Sequence, residues 1–128
     1  DEVRALLGMF QRMRRNGLAL SVEGKAEMLS LHDLCSRFAD SVSEAFRKGK
    51  AAAPDMLAHL HADSQEISQR IKDIRAAQLH RLTNHEPSAE PIKVVCLMDM
   101  LNVYRRIKED CLNIGEAMLD ERSNDNEP

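Results

Sequence analysis

The 128-residue chain contains no tryptophan, one tyrosine and three phenylalanines, so aromatic residues make up only 3% of it. That scarcity disfavours a β-sandwich or barrel, whose strands draw on aromatic and β-branched side chains. Three cysteines, Cys35, Cys96 and Cys111, lie far apart with no CxxC between them, which excludes a disulfide framework and a zinc knuckle. Three buried thiols in a reducing cytoplasm are the expectation. No apolar run approaches the roughly 18–20 residues that cross a bilayer, and no short apolar stretch with a cleavage site opens the chain. The motifs GxxxxGKS/T, GxGxxG, HExxH and GxSxG and the EF-hand loop are all missing, so the expected role is non-catalytic. Eighteen basic against 21 acidic residues give a net charge of −3; with no field to gather polyanions, nucleic acid is not an expected partner.

What remains is a composition of 43% apolar and 30% charged residues, enough for one domain around one core. Its load falls on Leu, Ile, Met and Ala at helical spacing. Met28, Leu31, Cys35, Phe38, Val42 and Ala45 step by three and four, laying one stripe along a helix that Gly49 would stop. Pro54 suits the first turn of the next helix, whose stripe reads Leu57, Leu60, Ser64, Ile67, Ile71 and Ile74, with Leu79 and Leu82 near its end. After Pro91 a third stripe passes through Val94, Leu97, Leu101, Tyr104, Cys111, Ile114 and Met118, with Ile107 beside it. Val3, Leu6, Phe10 and Met13 mark a shorter leading helix that ends at Gly17. Helices of about 25–30 residues joined by short links pack antiparallel, because a short loop returns the chain beside itself. The predicted fold is therefore all-α: a leading helix or linker over 1–20, an antiparallel three-helix bundle over 21–121, and a frayed acidic tail over 122–128.

Two sets of polar residues stand out. On the third long helix Asn102, Arg105, Glu109, Asn113 and Glu116 fall within about 40° of one line at 100° per residue, with Asp110 adjacent. Such a stripe is most simply a solvated face, in which Arg105–Glu109 adds a few tenths of a kcal/mol. Its functional reading is half of a site for a divalent or iron-type cation, with oxygen donors at i, i+4 and i+7 and the other half on a neighbouring helix or subunit. His59 and Asp63, four apart, face one direction and are the candidates for that other half, joining Glu109; His59 and His61 point about 200° apart and cannot share an ion. A surface or seam role is the plainer account of these histidines.

The segment Leu101-Asn102-Val103-Tyr104-Arg105-Arg106-Ile107-Lys108-Glu109-Asp110-Cys111-Leu112-Asn113-Ile114-Gly115-Glu116 resembles the closing-helix signature of PhoU-type helical bundles, in which a Leu-Glu-Arg-Ile-Gly-Asp-His-Ala-x-Asn-Ile-Ala-Glu pattern recurs. Upstream, Ala45-Phe46-Arg47-Lys48-Gly49-Lys50 and then Asp63-Ser64-Gln65-Glu66-Ile67 are similar to that family's first turn and to the acidic step on its second helix. The likeness spans roughly residues 25–120 and implies a single PhoU-like three-helix repeat. The family's metal-binding Glu-x-x-x-Asp falls on Arg105 and Glu109, and its Asn on Asn113. Arg105 stands in place of the first acid, so a lost or weakened metal cluster is expected, leaving Glu109, Asp110 and Asn113 as a residual polar patch. One-repeat members are often the cytosolic C-terminal domain of bacterial sodium/phosphate cotransporter-like proteins. The resemblance thus implies regulation of phosphate uptake or phosphate signalling, with a transporter membrane domain or a phosphate-signalling protein as partner. Asp1 at the start and the basic leading helix set the expectation of a segment whose membrane part lies elsewhere in a parent chain. Self-association is also expected, since two copies recover a two-repeat arrangement. The rival readings are a metal-binding bundle of storage or di-metal type, although no Glu-x-x-His occurs, and a generic helical adaptor.

Overall fold

A computed structural model describes residues 2–17, 19–48, 53–86 and 90–124. Among these the chain forms four helices and no strand: α1 (Glu2–Arg15), α2 (Val22–Lys48), α3 (Ala53–Thr83) and α4 (Pro91–Asn124). Local chemistry sets the ends. Gly17, at φ 64°, takes the left-handed conformation that terminates α1, and its N–H bonds the Arg14 carbonyl at 3.2 Å. Ser21 then caps α2, its Oγ accepting the Gly24 N–H at 3.1 Å. At the end of α3 the left-handed residue is His85 (φ 53°); the N–H groups of His85 and Glu86 bond back to the Leu82 and Arg81 carbonyls at 3.2 and 3.1 Å. This is a Schellman stop. Pro91 opens α4, where its missing N–H costs nothing. Gly49, the expected stop of α2, lies outside the described residues. The backbone of α4 stays helical to Asn124, past the expected start of the tail at 122, and residues 125–128 also lie outside the described set.

Side-chain pairs give the directions. Glu27 meets Gln78 and Arg81 while Ser30 meets Arg70, so α2 and α3 run antiparallel. Lys108 meets Ser68 and Glu116 meets His61, so α3 and α4 do too. The three long helices contact one another pairwise, and α1 lies against α4. All six residues of the α2 stripe are buried, as are Leu60, Ser64, Ile67, Ile71 and Ile74 on α3. Near the end of α3 the expectation fails: Leu79 is exposed and Gln78 takes the buried position, where its Nε2 donates to Glu27 Oε2 at 3.2 Å. Helix α4 departs further. Beyond its expected stripe it also buries Cys96, Met100 and Val103, on a face roughly 60–120° round from Leu97, because it packs against three helices rather than two. Ile114, assigned to the stripe, is exposed instead. On α1 only Met13 is fully buried, and Val3 and Phe10 face outward.

Candidate functional site

The polar edge of α4 is where the sequence places it, on the outside of the bundle. Asn102, Arg105, Asp110 and Asn113 are exposed, and Glu109 and Glu116 are half-buried. Arg105 Nη1 pairs with Glu109 Oε1 at 3.2 Å, and Glu116 Oε1 approaches His61 Nε2 at 3.4 Å. Both pairs are open to solvent and contribute at most a few tenths of a kcal/mol.

The expected metal set is not assembled. Asp63 borders a polar cleft of about 210 Å³ between α2 and α3, with Arg37, Ser41 and Glu66, whereas Glu109 sits on α4 beside Arg105. His59 is exposed, and the histidine that reaches α4 is His61. Among the described residues no three His, Cys, Asp or Glu side chains converge so as to hold a metal ion. The reason is rotational: α3 buries Leu60 and Ile67, which swings His59 and Asp63 to the flank away from α4.

Burial holds two of the thiols in their neutral form. That of Cys35 is pushed up to about 12, chiefly by desolvation and secondarily by nearby Cys111. Cys111 is raised by burial and then by Asp110. Neither supplies a thiolate at neutral pH, so neither is an activated nucleophile. Tyr104 is also raised by burial, and its hydroxyl lies 3.1 Å from His32 Nδ1, with the two rings edge to face at 82°.

That His32–Tyr104 pair borders a feature the sequence reading missed. An open apolar groove of about 710 Å³ runs between α1 and α2, walled by Leu7 and Phe10 on one side and Met28 and Leu29 on the other. Arg14 and Lys25 also line it. The groove exists because α1 rests on α4 and stands away from α2. A signal for it was present: Val3, Leu6, Leu7, Met9, Phe10 and Met13 spread apolar surface over about 160° of α1, more than contact with one helix covers. No helix among the described residues is long and apolar enough to cross a membrane. Compared with protein-family models, with curated proteins and with solved structures, the chain finds no match.

Proposed function

We propose that this chain is a non-catalytic interaction domain of the PhoU-like kind, a single three-helix repeat with α1 added, acting in phosphate uptake or phosphate signalling. Its partner in this reading is the membrane domain of a sodium-dependent phosphate transporter, met at the cytosolic face. One observation carries the proposal: the segment 101–116, which bears the resemblance, lies on the helix that touches all three others, yet keeps Asn102, Arg105, Asp110 and Asn113 in solvent. A rigid core behind a free polar edge suits recognition of another surface better than chemistry, which needs converging groups. Arg105 paired to Glu109 neutralises the carboxylate a cation would require, favouring protein contact over metal along this edge. Pairing of two copies would restore the two-repeat arrangement. The test is phosphate uptake in cells carrying the parent protein with and without residues 22–124, together with an Asn113→Arg variant. Altered response to external phosphate in both is expected, and an unchanged response in both would remove the proposal. A monomer in sedimentation at high micromolar concentration would remove the self-association.

A further inference from the structure

The groove between α1 and α2 is polarised along its length. Met13 and Arg14 of the last turn of α1 line it together with Ala19, Leu20 and Lys25, so the end of α1 and the start of α2 lie at the same end. Arg14 and Lys25 line the groove there, alongside the α2 N-terminus, whose dipole is positive. Neither cation has an acidic partner among the described residues. From that end the walls are hydrocarbon as far as the His32–Tyr104 pair.

We propose that this groove binds a single-chain amphipathic anion, a long-chain carboxylate, with its head between Arg14 and Lys25 and its tail along Phe10, Met28 and Leu29. The dimensions agree. Val3 to Arg14 spans about 16 Å at 1.5 Å per residue, the reach of an extended chain of about a dozen carbons. The volume of about 710 Å³ falls within the 300–1,000 Å³ typical of small-molecule sites. A second copy of α1 laid parallel would bring its Arg12, Arg14 and Arg15 to an end already basic. Met13 and Met28 are buried at the floor, at 4% and 7% exposure, where a thin chain reaches and a bilayer surface does not.

The test is isothermal titration of the full chain with dodecanoate below its micellar concentration. Saturable one-to-one binding is expected, roughly tenfold tighter than for decanoate because two more methylenes leave water. Leu29→Asp and Phe10→Asp, both at exposed walls that do not hold the fold together, should each weaken it at least tenfold. Arg14→Glu combined with Lys25→Glu should reverse the preference to dodecylammonium. Equal binding of dodecanoate and dodecylammonium by the native chain would overturn the proposal, as would indifference to these variants. So would retention on phosphatidylglycerol vesicles without binding of monomeric dodecanoate, which would make the groove face a bilayer contact.

Discussion

Replacing Gly115 by Ala should destabilise the protein, although helix propensity argues the opposite. Glycine inside a helix costs about 1 kcal/mol relative to alanine, and Gly115 lies well inside α4. A Cβ built there, however, falls 2.6 Å from Leu60 Cδ1, with Val42 Cγ2 at 3.9 Å. Leu60 is 1% exposed, so moving its Cδ1 aside means repacking it against other core side chains. Overpacking of this kind costs about 1–3 kcal/mol; set against the propensity gain, the net loss is about 1 kcal/mol. For a domain of this length that lowers Tm by about 3–5 °C.

The measurement is urea and thermal unfolding followed by circular dichroism at 222 nm. Gly8→Ala is the control, because no heavy atom lies within 4 Å of its added methyl; it should gain about 0.5–1 kcal/mol from propensity alone. Leu60→Ala completes a cycle. Alone it should cost about 2–5 kcal/mol, and in the Gly115→Ala background less by about 1–2 kcal/mol, since the new methyl occupies part of the vacated space. Stabilisation by Gly115→Ala equal to that of Gly8→Ala, or strict additivity with Leu60→Ala, would refute the close approach of α3 and α4.

Glu27 accepts hydrogen bonds from Gln78 and from both terminal nitrogens of Arg81, so Glu27→Ala should cost about 1–3 kcal/mol in urea unfolding by leaving buried Gln78 without that acceptor. The Cys35 thiol, raised by burial from 9.0 to about 12, loses its proton first in the unfolded chain; stability should be constant below pH 9 in this respect, fall between about 9 and 12, and fall less steeply in Cys35→Ala.

The α2 stripe was legible because that helix buries one line of residues, and a three–four spacing in sequence is the image of such a line. For α4 the same reading recovered Leu97, Leu101 and Tyr104 but passed over Cys96, Met100 and Val103, since a helix with three neighbours buries more than one line. Gln78 was passed over for a different reason: its burial depends on Glu27, 51 residues away, and a polar residue carries no sign in sequence of the partner that satisfies it. The outward polar edge of α4 followed from its own periodicity. Bringing His59, Asp63 and Glu109 together required the rotation of α3 about its axis relative to α4, which packing at Leu60 and Gly115 decides and no single helix pattern encodes.

That dependence on neighbours is sharpest for α1. A 14-residue helix is marginal by itself in water, and α1 contributes only Met13 as a fully buried residue, with Leu6 and Met9 partly buried against the core. By contrast α2 buries Leu31, Phe38 and Ala45 almost completely. Opening α1 therefore exposes little beyond these few side chains and should require less free energy than global unfolding. Native-state hydrogen exchange tests this: amides of α1 should exchange through a local opening only weakly dependent on urea, whereas central amides of α2 should exchange through global unfolding. If α1 and α2 amides shared one protection free energy and one urea dependence, α1 would be an integral fourth rod of the bundle. The gap beside α2 would then be part of a rigid fold rather than a trough whose outer wall is lightly held.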